Sequence, residues 1–149
     1  MCEEIIGCWT WRQPTYRYLT YTTKYEEGSI INNHENLRGS SNDGYTAQIY
    51  CPNPPSMGQI VGTFNEEYVH GLIQIYGNTA PGGYLSDLYV YVSADNQNWA
   101  FVNAYRITST SPSWINFDYV DDCFKYIAIV GFNTGYSVNL HLDCVRVTP

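Results

Sequence analysis

Short segments in which apolar and polar residues alternate follow one another along most of the chain. In the clearest one, residues 85–93, leucine and valine alternate with Tyr89 and Tyr91. A period of two predicts a half-buried β-strand, because successive side chains point to opposite faces. The same reasoning predicts further strands at 8–12, 16–22, 46–51, 59–65, 72–77, 99–105, 114–119, 125–131 and 139–147.

Turn chemistry separates these segments. Residues 52–55 read Pro-Asn-Pro-Pro and residues 95–98 read Asp-Asn-Gln-Asn, both of which interrupt a ladder of hydrogen bonds. The polar stretch 26–45 is predicted as a loop, and no amphipathic helical pattern of useful length is present. About nine short strands without helical crossovers predict an all-β fold, an antiparallel β-sandwich or jelly roll, as a single domain over residues 1–149.

Composition agrees with this fold and narrows the range of partners. Charged residues make up 14% of the chain and there are 15 tyrosines, which suits strands better than long helices. The net charge of −7 argues against nucleic acid but is compatible with neutral sugars and with Ca²⁺. No apolar run is long enough to span a membrane, and the first residues do not resemble a signal peptide. We therefore expect a domain taken from a larger extracellular protein.

The five cysteines leave two interpretations open. None forms a Cys-x-x-Cys pair and there are only three histidines, so a zinc site is not expected. Two disulfides and one remaining thiol would fit an oxidising setting, whereas five reduced core cysteines would fit a cytosolic one. The candidates for disulfides are Cys8, Cys51, Cys123 and Cys144.

Three motifs in sequence order resemble the galactose-binding-like, or discoidin, jelly-roll superfamily, which includes coagulation-factor C domains and family-32 carbohydrate-binding modules. Residues 88–99 resemble its hydrophobic strand followed by Ser-x-Asp-Gly and Trp, with Asn96 in place of the glycine. Residues 36–47 are similar to its early Asp-Gly turn. Residues 124–147 resemble its two closing strands. The resemblance covers residues 28–147 and implies that Trp99 belongs to the core.

The resemblance also implies a structural calcium ion. The loop 38–46 supplies amide, carboxylate and hydroxyl oxygens, which are the ligands that Ca²⁺ prefers, and the family adds an acidic residue from the last strand. An ordinary Asn-Asp-Gly turn is the alternative. In related domains a disulfide often joins the first and last strands, which here would pair Cys8 with Cys144. The implied calcium site comprises Arg38, Asn42, Asp43, Thr46 and Asp143.

Sugar recognition requires an exposed aromatic face beside planar polar groups, and loops at the ends of a sandwich are the usual place for it. Phe132 and Tyr136 flank the last hairpin tip, and Tyr84 follows a Pro-Gly-Gly turn. The predicted ligand-binding residues are Asn33, His34, Arg38, Tyr84, Arg106, Phe132 and Tyr136.

No motif for catalysis is present, and the paired carboxylates 26–27, 66–67 and 121–122 are sequence neighbours that would face opposite sides of a strand. The sequence therefore predicts a non-catalytic, lectin-like carbohydrate-binding module at the cell surface, stabilised by calcium. The alternative is a structural or adhesion domain of a filament-forming or surface protein that binds or assembles through its tyrosines. A membrane-binding discoidin domain is a third possibility, but no protruding apolar spikes beside basic residues are evident.

Overall fold

A computed structural model describes residues 16–40, 43–65 and 68–149. Their order of elements is eleven strands interrupted by one 3-10 helix, His34–Leu37. No helix in these three ranges is long and apolar enough to cross a membrane. The strands are β1 (Arg17–Tyr18), β2 (Tyr21–Glu27), β3 (Ile30–Asn32), β4 (Ala47–Cys51), β5 (Ser56–Thr63), β6 (Val69–Thr79), β7 (Ser86–Ser93), β8 (Ala100–Ile107), β9 (Ser113–Phe124), β10 (Tyr126–Asn133) and β11 (Val138–Thr148).

The strands form two antiparallel sheets. The five-stranded sheet has the order β2-β5-β10-β7-β8, and the six-stranded sheet has the order β3-β4-β11-β6-β9, with β1 paired to β11. The predicted hairpin between the last two strands is wrong, because the consecutive strands β10 and β11 occupy the middle of opposite sheets. The predicted all-β antiparallel sandwich is confirmed.

The core lies between the sheets and follows the period-two pattern. In β5 and β7 buried residues alternate with half-exposed ones over almost the whole strand. The inward side chains are mainly Ile, Leu and Val, with an edge-to-face pair of Phe64 and Phe124 whose ring centroids are 5.8 Å apart. Each such side chain taken from water stabilises the fold by about 1.5–3 kcal/mol. Burial of the alternating apolar side chains is therefore the main interaction that holds the two sheets together.

Two glycines on the inner face of the five-stranded sheet make room for the opposite layer. A Cβ at Gly62 would lie 2.5 Å from Leu19, and one at Gly131 would lie 2.7 Å from Ile49. Leu19 and Ile49 are themselves fully buried. Because interiors are close-packed, the missing side chains are what allow the two layers to come together here.

The structure extends several predicted strands and revises one predicted loop. β6, β9 and β11 each run for 11 or 12 residues, longer than the sequence pattern indicated. The polar stretch 26–45 is not a simple loop, because it contains β3 and the 3-10 helix. The predicted strand 8–12 lies outside the described residues.

The disulfide predictions for Cys51 and Cys144 are wrong, since both are free, buried thiols. Cys144 lies beneath the loop after the 3-10 helix, where its thiol donates to the Gly39 carbonyl over 3.7 Å, and burial raises its pKa to about 11. The Cys8–Cys144 pair is therefore not formed. Cys8 lies outside the described residues, and a disulfide at Cys123 stays a prediction.

We expect Gly62→Ala to lower the free energy of unfolding by about 1–3 kcal/mol, because the added methyl group overpacks the layer around Leu19. Thr63→Ala, on the outer face of the same strand, is the matched control. Thermal or urea unfolding measures both, and equal stability of the two variants would contradict the packing argument.

Candidate functional site

An apolar hollow of about 300 Å³ lies on the outer face of the five-stranded sheet. Its floor is Ala128 and Val130, which point away from the core yet are only 4% and 8% exposed. This is unusual for an antiparallel strand, whose outer face normally carries polar residues. The walls are Met57, Gln59, Tyr91, Trp99 and Phe132.

The indole of Trp99 is placed by the turn that precedes it. The Asp95 carboxylate accepts hydrogen bonds from the backbone N–H of Asn98 at 2.8 Å and of Gln97 at 2.9 Å. Its second oxygen accepts from the Asn98 side chain at 2.7 Å, and Ser93 bonds to Asp95 as well. These hydrogen bonds, first among them that from the Asn98 backbone, hold the pKa of Asp95 well below its usual range.

The backbone conformation at residue 96 is compatible with asparagine in place of the glycine of the resembled motif. Asn96 has a φ of 62°, in the left-handed region that glycine favours and asparagine tolerates. Asparagine therefore replaces the glycine without changing the turn. The expectation that Trp99 belongs to the core is wrong, because its half-buried ring lines the outer hollow instead.

A second hollow of about 350 Å³ adjoins the first, lined by Asp87, Tyr89, Ala104, Tyr105 and Arg106. The guanidinium of Arg106 donates to both carboxylate oxygens of Asp87, at 2.8 and 3.0 Å. It also lies over the Tyr136 ring, 4.8 Å from the centroid. An edge-to-face contact between Tyr89 and Phe132, at 6.3 Å, separates the two hollows.

Three of the predicted ligand residues are thus brought to one end of this face: Arg106, Phe132 and Tyr136. Phe132 belongs to β10 rather than to the predicted hairpin tip, and it faces the hollow from the strand. Tyr136, in the β10–β11 loop, is 52% exposed. A strand position for Phe132 matters because its orientation is fixed by pairing with Met57 of β5.

The other predicted ligand residues lie elsewhere. His34 and Arg38 both bond to Thr22, at 2.8 and 2.9 Å, and the Arg38 guanidinium also lies over the ring of Tyr21. Both side chains thus hold the 3-10 helix against β2. Asn33 is exposed at the start of that helix. Tyr84 packs edge-on against Tyr50 of the other sheet, with ring centroids 6.4 Å apart.

The predicted metal residues meet only in part. Asp143 is 4% exposed; one carboxylate oxygen accepts the Gly44 N–H at 2.9 Å, and the other is buried with no hydrogen-bond partner among the described residues. Burial raises the pKa of Asp143, and the negative charge of Asp43 nearby adds to the effect. Thr46 lies 3.4 Å from the His141 ring nitrogen. Asn42 lies outside the described residues.

Sequence reasoning missed Met57, Gln59, Tyr91 and the floor of the hollow. A signal was present in residues 127–130, an unbroken run of four apolar residues. Such a run predicts a strand buried on both faces, and in an antiparallel sheet without covering helices it indicates that something shields the outer face. The aromatic walls supply that shield.

Comparison with known proteins used both sequence and structure. No family model matches the sequence, and no curated protein sequence matches it significantly. The structure is similar to a mutant of a family-29 carbohydrate-binding module complexed with mannohexaose, with TM-score 0.65, 10% identity, and 92% of this chain and 93% of that one covered.

It is also similar to the family-32 module of AlyQ in complex with 4,5-unsaturated mannuronic acid, with TM-score 0.58, 13% identity, and coverage of 89% and 97%. A family-32 module from Clostridium perfringens in complex with GalNAc-β-1,3-galactose gives TM-score 0.56 at 11% identity, with coverage of 87% and 94%. The chain shares the two-layer antiparallel β-sandwich of these modules. At these identities the likeness establishes the architecture of the jelly roll alone.

We expect Asp95→Ala to lower the melting temperature of the jelly roll, because the turn loses the acceptor of its backbone N–H groups. A carboxylate whose pKa is depressed on folding stabilises the protein above its unfolded pKa, and that contribution is lost as the pH falls. The difference in melting temperature between wild type and variant should therefore narrow below about pH 4. Asp122→Ala, an exposed carboxylate on β9, is the control; a difference independent of pH would contradict the assignment.

Proposed function

We propose that this chain is a non-catalytic carbohydrate-binding module whose site is the aromatic hollow on the outer face of the five-stranded sheet. The observation that carries the proposal is the combination of an apolar floor, three aromatic walls and one amide in a single hollow of about 300 Å³. The similarity in fold to carbohydrate-binding modules of two families supports it.

The lining has the chemistry that a sugar ring needs. The C–H face of a pyranose packs on aromatic rings, here those of Tyr91, Trp99 and Phe132. Gln59 offers a carbonyl oxygen and an amide N–H₂ for hydroxyl groups. Because the floor residues are apolar and shielded, the ring displaces little bound water from polar groups.

The adjacent carboxylates Glu26 and Glu27 of β2 do not form a catalytic acid–base pair. Glu26 accepts the Ile31 N–H at 2.7 Å, while the neighbouring Glu27 points to the outer face opposite Met57. Recognition rather than hydrolysis is the activity that the hollow supports.

We expect Trp99→Ala to weaken glycan binding about tenfold or more, since a central aromatic contact of an interface is typically worth more than 1 kcal/mol. Binding is measured first on a glycan array and then by isothermal titration calorimetry with the best ligand. Tyr119→Ala, which removes a 53% exposed tyrosine from the other sheet, is the control and should bind as wild type does.

A third variant distinguishes a binding site on the sheet face from one in the end loops. If Tyr84→Ala abolished binding while Trp99→Ala left it intact, the site would lie near the β6–β7 loop and the proposed location would be wrong. Failure of the unmodified protein to bind any glycan would contradict the proposed function itself.

We further propose that a calcium ion is held between Asp143 and the loop that precedes β4. A buried carboxylate oxygen without a partner, beside a second carboxylate, is costly unless a cation offsets the charge. Asp143 and Asp43 would supply carboxylate oxygens and Thr46 its hydroxyl group. The side chain of Arg38 is committed to Thr22, so only its backbone could contribute.

We expect Ca²⁺ in excess over chelator to raise the melting temperature, because a ligand at about 100 times its Kd adds about 2.7 kcal/mol to the stability of the folded state. Asp143→Asn should abolish that rise, and the exposed Asp122→Asn should keep it. Differential scanning calorimetry with Ca²⁺ and with EDTA measures the effect. A melting temperature that chelation leaves unchanged in the wild type would contradict the calcium site.

An extracellular setting and membership of a larger surface protein belong to the same proposal, since glycans are most accessible there. The adhesion alternative, with assembly through a broad tyrosine patch, has less support. The exposed tyrosines are spread over both sheets and the loops, so that no single face carries all of them: Tyr16 precedes β1, Tyr21 and Tyr25 lie on β2, Tyr45 on a loop, Tyr105 on β8, Tyr119 on β9 and Tyr136 in the β10–β11 loop.

A further inference from the structure

The central aromatic hollow has a neighbour on each side along the outer face of the five-stranded sheet. One neighbour, of about 110 Å³, is lined by Glu27, Pro55, Ser56, Met57 and Phe132, and it shares Met57 and Phe132 with the central hollow. On the opposite side, the Tyr89–Phe132 contact separates the central hollow from the one around Arg106.

The strand register places the ends of this series in one row across the sheet. Glu27 pairs with Met57, and Met57 pairs with Phe132. Gly131, next to Phe132, pairs with Leu88, and the neighbour of Leu88 is Asp87, which pairs with Arg106. The row therefore crosses all five strands from β2 to β8.

The length of the row decides what it accommodates. Four gaps between five strands, each about 4.8 Å, give about 19 Å. One sugar ring fills a single hollow, whereas an extended chain of several rings would occupy the central hollow and both flanking ones. Free ends are not required, because the series is open at β2 and at β8, the two edges of the sheet.

Charge along the row favours a neutral chain. Arg106 is the only cationic residue among those that line the three described hollows. Its Nε and Nη2 atoms both donate hydrogen bonds to the Asp87 carboxylate, which offsets its charge. Glu27 adds a negative charge at the opposite end, and the whole chain carries a net charge of −7. A polyanionic glycan would be repelled along most of its length.

Resting on the proposed function, we infer that the ligand is the interior of a neutral linear polysaccharide, which lies across the strands and occupies three adjoining subsites. The central hollow binds one ring by stacking. The Arg106 subsite, with Tyr136 stacked on the guanidinium, and the Glu27 subsite bind the rings on either side.

The test is to titrate neutral oligosaccharides of increasing length into the full chain and to measure their affinities by calorimetry. With mannobiose, mannotriose and mannohexaose, and with the corresponding cello-oligosaccharides, the hexasaccharide of the preferred series should bind at least about tenfold more tightly than the disaccharide. Arg106→Gln and Glu27→Ala should each remove most of this gain, because each variant loses one flanking subsite, whereas Tyr119→Ala on the other sheet should keep the full gain. Asp122→Ala is the control for Glu27→Ala, and the melting temperature of each variant confirms that it folds.

The outcomes separate this inference from the proposed function. A disaccharide that binds as tightly as the hexasaccharide would overturn the multi-ring chain while leaving carbohydrate binding in place. Tighter binding of a hexamannuronate than of mannohexaose would overturn the neutral class. If no oligosaccharide of either series bound and no glycan on an array did, the inference and the proposed function would both fail.

Discussion

The structure depends most on one strand that is apolar on both of its faces. β10 sends Ile127 and Ile129 into the core and Ala128 and Val130 to the outer face of its sheet. The inward pair joins the two layers of the sandwich. The outward pair must be covered for the strand to remain in water, and the side chains that cover it are the walls of the hollow. The core and the proposed binding face therefore depend on the same strand.

This dependence explains why the site is rigid. Its floor lies in the middle of the sheet, where β10 has paired neighbours on both sides, and three of its walls, Met57, Gln59 and Tyr91, come from those neighbours, β5 and β7. Trp99 is the exception, because it follows a turn. The backbone of that turn is fixed by hydrogen bonds to the Asp95 carboxylate instead of by pairing with a neighbouring strand. A preformed site loses little conformational entropy on binding, which favours affinity from few contacts.

Much of the fold could be predicted from the sequence, and the reason is physical. Alternation with a period of two encodes which side chains face the core, and residues 86–93 show it almost without exception. The full lengths of β6 and β9 could not be predicted, because their pairing has register shifts between Val69 and Gly71 and between Ile73 and Gln74 that interrupt a regular period of two. The short β3 could not be predicted because its three residues are too few to show a period of two within a polar stretch.

The site was harder to predict, since it depends on residues brought together from different strands. Phe132, Arg106 and Tyr136 were identified as aromatic or planar groups near turns, and the structure does bring them to one end of the sheet. Trp99 was assigned to the wrong side, because its core position was taken from the resemblance, and alternation does not give the direction of a residue that follows a turn. His34 and Arg38 were identified by residue type alone, and their bonds to Thr22 show that polar side chains near a loop often hold the loop itself.

The position of the buried Asp143 carboxylate also depends on a local interruption of the strand pairing. A bulge in the pairing of β11 with β6 falls between Leu142 and Cys144, so Asp143 leaves the regular alternation. It turns toward the loop before β4, where the Gly44 N–H satisfies one oxygen and nothing described satisfies the other. The Gly44 N–H accounts for an acceptor at this position, and the second oxygen is the group that the proposed cation would satisfy. The aromatic face and the buried carboxylate thus lie on different sheets, so the two proposed sites are structurally separate.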